Sequence, residues 1–300
     1  MYNKSRLFLR AQIIQSIRTF FISRGYLEVE TPLIIPAPAP EANIDAIKTE
    51  KDFLQTSPEL CMKRLLSAGY DQIFQICKCF RNAERGHLHL PEFTMLEWYR
   101  AEADYFDLMD ECQNMIKHVV NELGMGEIIE YQDIPINISG EWDRFTVKEA
   151  FKKFTATTSE KAINSGEFDE ILVSEIEPAL NNGKPVFLYN YPASQAALSK
   201  INREDPDVAE RFELYMGGLE LANAFSELTA VEEQRKRFLE EEENRKKRGK
   251  VRYPFPEKFI NDLEYMPRSA GIAFGIDRFV MILTNSASID DVVTFTPEKL

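Results

Sequence analysis

The sequence predicts an α+β fold of antiparallel strands flanked by helices, and the observations behind this are two hairpins and three helical runs. Residues 72–78 set Ile73, Phe74 and Ile76 among polar neighbours, and residues 93–99 are rich in aromatic and β-prone side chains, so the two segments read as paired strands. Residues 210–227, ERFELYMGGLELANAFSE, read as a second pair across a turn at Gly217 and Gly218. Helical spacing appears at Leu9, Ile13, Ile17, Phe20 and Phe21, again from Leu108 to Leu123, and as a charged run over 232–247. A chain of 300 residues can bury one large core; the expectation is a single domain over 1–300 with a small helical insertion at about 125–182.

The elements follow in order. Ser5 can cap the first helix and Gly25 can end it, after which Leu27, Val29 and Thr31 alternate with Glu28 and Glu30 as a strand up to Pro32. IPAPAPEAN at 35–43 is too rich in proline for regular structure and reads as an ordered crossing. A short strand at 53–55 precedes Ser57, Pro58 and Glu59, which supply a cap, a first-turn proline and a first-turn acid to a helix running to Leu66, with Gly69 as its stop. Thr146 and Glu149 form a capping box, residues 171–180 are helical, and 185–189 return to strand. In the second hairpin Leu219, Leu221 and Phe225 share parity and Glu220 does not. The run at 232–247 offers Glu241–Arg245, Glu242–Lys246 and Glu243–Lys247 at i,i+4, the pattern of a solvated helix with no binding role. SAGIAFGIDRFVMIL at 269–283 is a glycine-punctuated strand entering an apolar helix.

Composition excludes some functions. A net charge of -13 argues against a general electrostatic hold on a polyphosphate backbone. MYNKSRLFLRAQ is not a signal peptide, and no stretch approaches the roughly 20 apolar residues of a membrane span, so a cytoplasmic protein is expected. Cys61, Cys77, Cys79 and Cys112 lack metal-ligand spacing.

The chemistry concentrates in QIFQICKCFRNAERGHLHLPEFTMLEWYR at 72–100. Arg81, His87 and His89 crowd the loop of the first hairpin and suit a bound anion. Glu97 and Tyr99, two apart on a strand, share one acidic and aromatic face that suits a cationic substrate. Gly271 and Gly275 allow close backbone approach ahead of Arg278, a plausible nucleotide floor, although the chain has neither a GxxxxGK loop nor a strand-led GxGxxG fingerprint.

FRN at 80–82 with PEFTMLEWY at 91–99 resembles motif 2 of the class II aminoacyl-tRNA synthetases in their lysine-specific form; GYLEVETP at 25–32 resembles motif 1 and GIAFGIDR at 271–278 resembles motif 3. The resemblance covers nearly the whole chain. YPASQAALS at 191–199 is most similar to the branch of that family that modifies elongation factor P.

That resemblance implies a class II catalytic core, a mostly antiparallel sheet flanked by helices, paired as a homodimer through the segment 5–32. It implies ATP-dependent activation of lysine, preferably (R)-β-lysine, as an adenylate. Arg81 and Arg278 would be catalytic, at the α- and γ-phosphates. Asn82, Glu84, His89 and Phe93 would complete the ATP site, with Phe93 stacking on adenine, and Glu213 and Glu220 would bind Mg²⁺. Glu59, Glu97, Tyr99, Asn223, Phe225, Glu227 and Ala273 would form the lysine pocket. Motif 1 begins by residue 25, leaving no room for the anticodon-binding domain of lysyl-tRNA ligases, so elongation factor P and not tRNA is the expected acceptor. A truncated lysyl-tRNA ligase and a non-catalytic ATP- and lysine-binding paralogue are the alternatives. Three positions depart from the family pattern: Ala83 stands where a glutamate contacts adenine, Leu90 replaces an asparagine, and Ala224 replaces a glycine.

Overall fold

A computed structural model describes residues 4–300. Its elements are α1 (Lys4–Ser23), β1 (Leu27–Glu28), β2 (Ile34–Ile35), β3 (Phe53–Leu54), α2 (Glu59–Ser67), β4 (Gln72–Phe80), β5 (Glu92–Ala101), α3 (Tyr105–Glu122), β6 (Ile128–Tyr131), β7 (Ile134–Asn137) and β8 (Asp143–Thr146). There follow α4 (Val147–Phe154), α5 (Ser159–Ser165), α6 (Phe168–Ile171), α7 (Glu177–Ala179), β9 (Val186–Pro192), β10 (Val208–Met216), β11 (Leu219–Ser226), α8 (Val231–Lys247), α9 (Glu257–Asp262), β12 (Ser269–Gly275) and α10 (Ile276–Leu283).

Eight strands form one sheet in the order β1-β4-β5-β12-β11-β10-β9-β8. Only its outermost pairs, β1 with β4 and β8 with β9, are parallel. This is the mostly antiparallel, helix-flanked sheet that the sequence predicts.

Period-two alternation divides the two faces. Phe74, Leu96, Trp98, Ala224, Ile272 and Phe274 point into the main core, where Ile13, Ile17, Phe20 and Phe21 of α1, the apolar stripe of α3 and nearly all of α10 cover them. Each such side chain contributes about 1.5–3 kcal/mol of transfer free energy. The opposite face holds Glu97, Tyr99, Gly271, Ala273, Asn223 and Phe225, and stays open as a cleft. A satellite core links Val147, Phe151, Phe168 and Ile176 of the segment after β8 to Leu188, Tyr191 and Tyr215 of the sheet.

Several local expectations change. Ser5 lies inside α1 and not at its cap. The strand after Gly25 pairs only through Leu27 and Glu28, with one further bond from Val29 N to Phe74 O at 2.9 Å, because the chain then leaves for the crossing. The three i,i+4 pairs foreseen in α8 do not form: Glu243 pairs with Lys246 at i,i+3, and Glu241, Glu242 and Arg245 make longer-range contacts. Arg245 is fully buried, and its guanidinium donates to the carbonyls of Glu41, Ile44 and Val251 and to Asp45. Glu241 accepts from Ala42 N at 2.7 Å, and Glu242 accepts from Tyr253 N. One face of this charged helix therefore anchors the proline-rich crossing instead of meeting water.

The parity of β11 is also corrected. Leu214 pairs with Ala222 but Tyr215 pairs with Glu220, so Leu221 is the extra residue of a β-bulge. Beyond the bulge, Asn223 and Phe225 share a face with Glu220, while Leu219, Leu221, Ala222 and Ala224 face the core. Phe225 therefore does not accompany Leu219 and Leu221.

Candidate active site

The cleft encloses a cavity of about 510 Å³. Register explains its make-up. Glu97 of β5 pairs with Ala273 of β12, which pairs with Asn223 of β11, which pairs with Glu213 of β10. One step along, Tyr99, Gly271, Phe225 and Arg211 form a second row. β12 supplies only Gly271, Ala273 and Gly275 to this face, so the middle of the sheet gives up side-chain volume to a ligand. A Cβ on Gly271 would lie 2.2 Å from Tyr99 Cε1 and 2.3 Å from Glu227 Oε1, so only glycine lets those two side chains converge.

One end of the cavity is acidic. Pro58, not Ser57, occupies the N-cap position of α2 and makes no side-chain cap; Ser57 Oγ, one residue earlier, accepts from Glu59 N at 3.0 Å and donates to Glu97 Oε1 at 2.6 Å. Tyr99 Oη donates to Glu97 Oε2 at 2.8 Å. Burial, and behind it the Glu59 carboxylate, push the Glu97 carboxyl up to about 8. Burial likewise raises Glu227 to about 8, against the opposing pull of Lys63. Lys63 is almost fully buried and lies 2.5 Å from both Glu59 Oε1 and Glu227 Oε2. Burial alone would lower its pKa, but the two carboxylates outweigh that and raise it.

The other end is basic. Arg81 lies with Cζ 5.0 Å from the centre of the Phe93 ring; among the described residues its buried Nε has no hydrogen-bond partner and its only ion pair is with Glu84, at 3.9 Å. Arg278 donates from Nη1 to Glu220 O at 2.7 Å and meets His89 Nε2 from Nη2 at 2.7 Å. That contact requires Nε2 as acceptor, and partial burial next to Arg278 holds the imidazole below its usual pKa. Both guanidiniums thus face the cleft with donors to spare.

Of the residues foreseen from sequence, Glu59, Arg81, Glu84, His89, Phe93, Glu97, Tyr99, Glu220, Asn223, Phe225, Ala273 and Arg278 line this one cavity. Three do not. The Asn82 side chain is exposed, although its amide donates to Asp45 O at 2.7 Å. Glu227 lies beyond the lining, with Oε1 over Gly271 on the cleft face beside Tyr99. Glu213 is held by Arg211, by Tyr191 Oη at 2.6 Å and by Tyr215 Oη at 2.7 Å. The YPASQ segment buttresses this group, since Gln195 O also accepts from Arg211 at 2.8 Å. Ala224 faces the core, so the missing glycine there does not touch the cleft, whereas Ala83 lines it.

Sequence reasoning missed Lys63, Arg211 and Glu41. Glu41 lines the cavity from the crossing, and burial, followed by Glu59, raises its carboxyl to about 7. Its position in a proline-rich run gave no signal. Lys63 at i,i+4 from Glu59 matched an ordinary surface pair.

Among the described residues no cluster of three or more metal-ligating side chains occurs. Two carboxylates with substrate phosphates nevertheless suit Mg²⁺. Burial and then the neighbouring Glu213 raise the Glu220 carboxyl against the opposing pull of Arg278, Arg211 and Arg81, and solvent reaches Glu220 through the cleft.

Comparison with known families matches residues 2–299 to tRNA synthetases class II (D, K and N). This chain belongs to that family. It is 37% identical over 318 residues to the elongation factor P–(R)-β-lysine ligase of Pectobacterium carotovorum subsp. carotovorum, covering 98% of this chain and 96% of that protein. The enzymes of the same name from Hamiltonella defensa and Vibrio atlanticus are 38% identical over 312 residues and 40% identical over 303 residues, covering 98% and 95% of this chain and 96% and 94% of theirs. Membership in the class II family is consistent with a sequence that carries no phosphate-loop fingerprint.

Proposed function

We propose that this protein is an ATP-dependent ligase that activates lysine, preferentially (R)-β-lysine, as an aminoacyl-adenylate and transfers it to a lysine side chain of elongation factor P. The observation that carries this reading is one cavity with buried carboxylates at one end and two guanidiniums at the other. Such a cavity matches a substrate with two amines whose carboxylate must meet a triphosphate. The names of the relatives support the acceptor and the isomer.

An unactivated carboxylate is a poor acyl donor. In the first step a substrate carboxylate oxygen attacks the α-phosphorus, and the bond to pyrophosphate breaks. Arg81 stabilises the charge that develops there, and Arg278 holds the far phosphates. Glu97, Glu227 and Glu59 hold the ammonium groups, fixing the carboxylate at near-attack distance. In the second step the acceptor amine attacks the acyl carbon and AMP leaves. Mg²⁺, held by Glu220 with Glu213 behind it, would neutralise phosphate charge. A cytoplasmic location suits these substrates, and no helix among the described residues is long and apolar enough to cross a membrane.

The test is incubation with ATP, either lysine isomer, and either elongation factor P or tRNA, read by pyrophosphate release and acceptor mass. A β-lysyl increment on elongation factor P is expected. Acylated tRNA would instead identify a lysyl-tRNA ligase, and binding without pyrophosphate release would identify a non-catalytic paralogue.

A further inference from the structure

Lys63 is the least expected group in the pocket. It is an ammonium with 1% of its side chain exposed, inside a site whose substrate is itself a dication. It contacts Glu59 on its own helix and Glu227 at the end of β11, each at 2.5 Å. The Phe225 ring centre lies 5.8 Å from Nζ. Glu97 and Tyr99 face the same space from β5, and Glu41 acts on Glu59 from the crossing. Glu227 Oε2 accepts from the Lys63 ammonium, and Oε1 has no hydrogen-bond partner, so the carboxylate retains lone pairs for a second cation.

We propose that Lys63 is a positioning residue, a built-in ammonium that holds Glu59 and Glu227 as oriented carboxylates, so that the pocket presents two net negative charges to a substrate with two ammonium groups. Three buried carboxylates without a cation cannot all remain ionised, because each raises the cost of charging the next. Lys63 offsets one of the three; a fourth carboxylate of the cavity, Glu41, stands outside this set, under the opposing pull of Arg81 and Arg211. The remaining two charges match the amines of lysine, while Arg81 at the other end of the cavity is left for the substrate carboxylate. Lys63 thereby acts on the charge that the pocket selects without needing to touch the reacting atoms. This inference rests on lysine being the substrate.

Lysine-dependent pyrophosphate exchange across pH tests it. In Lys63→Met, protons replace the ammonium, so KM for lysine rises about tenfold or more at neutral pH and recovers as pH rises. The midpoint of that recovery lies above the wild-type midpoint, while kcat at saturating lysine and KM for ATP stay within about twofold. A variant whose KM–pH profile superimposes on the wild type, or which loses kcat and KM for ATP equally, overturns the proposal. The wild type gives a second readout that does not depend on how the variant folds. The side-chain nitrogen of ¹⁵N-labelled Lys63 should keep the ammonium shift to at least about pH 10, above which a free lysine titrates. Titration of Lys63 near neutrality overturns the proposal. Absence of any lysine-dependent exchange in the wild type is a different failure, one that removes the substrate reading itself and this inference with it.

Discussion

Glu97 and Ala273 stand opposite each other in the β5–β12 pair, and Asn223 faces Ala273 from the other side, so a single methyl group interrupts a row of polar side chains. In α-lysine the amine sits beside the carboxylate, and in β-lysine one carbon farther along. A methyl at this point penalises the first arrangement more than the second, and one such group is worth about 1–3 kcal/mol of discrimination. The wild type should show the higher kcat/KM for (R)-β-lysine, and Ala273→Gly should move preference towards α-lysine. Equal values for the two isomers, or a ratio that the substitution leaves alone, would refute this.

Gly271→Ala tests the convergence of Tyr99 and Glu227. The new methyl overlaps both side chains, and Tyr99 is buried and cannot swing away. We expect about a 100-fold loss in kcat/KM for lysine with circular dichroism and ATP binding retained. Near wild-type lysine kinetics would show that the two groups do not hold the substrate.

The acidic end predicts a pH dependence. Glu97, raised to about 8 by burial, holds a proton in the empty pocket at neutral pH, while Glu227 faces the Lys63 ammonium. The dication binds the ionised form of Glu97, so binding releases a proton and KM for lysine falls as pH rises through about 8, until the substrate amines themselves deprotonate. Calorimetry in buffers of different ionisation enthalpy should register net proton release at pH 7. Proton uptake there would contradict the assignment.

Ala83 lines the cavity at φ 61°, where alanine and glutamate bear similar backbone strain. Ala83→Glu restores an acceptor near the base position, and a hydrogen bond with a charged partner contributes about 1.5–3 kcal/mol. KM for ATP in pyrophosphate exchange should fall. An unchanged KM, with the adenine amine already bonded to Glu84 in a nucleotide complex, would count against it.

The segment 5–32 and its continuation expose Ile22, Leu27, Leu33 and Ile34, with Ile22 58% and Ile34 54% accessible. Such a run of apolar residues suits a two-fold interface. Sedimentation should give twice 34.7 kDa, and Leu27→Glu with Ile34→Glu should give monomers. A wild-type mass that stays monomeric at every concentration would exclude the dimer.

Both hairpins could be read from the sequence because alternation and the Gly217–Gly218 turn act locally. Glu97 with Tyr99, and the small residues of β12, followed from the same period. The bulge at Leu221 could not be read, since one extra residue leaves composition and turn unchanged and shows only when the partner strand is in place. Arg245 and Lys63 were hidden for a related reason. Each sits at a helical spacing that solvated ion pairs also satisfy, and only the crossing and the end of β11, distant in sequence, bury them.

The bulge makes the hairpin behave like a printed page with one line inserted. From Leu221 towards the turn, oil-facing and ligand-facing positions exchange places relative to a regular ladder. A protein whose ladder ran regularly through Leu221, with no residue gained or lost, would keep its strands, its turn and its full identity score. It would nevertheless turn Glu220 into the apolar layer and present Leu219 to the nucleotide. Whether a relative retains this carboxylate at its phosphate end therefore depends on bulge and residue count changing together: losing both Leu221 and the bulge leaves Glu220 on the cleft face, and losing either one alone turns it into the core.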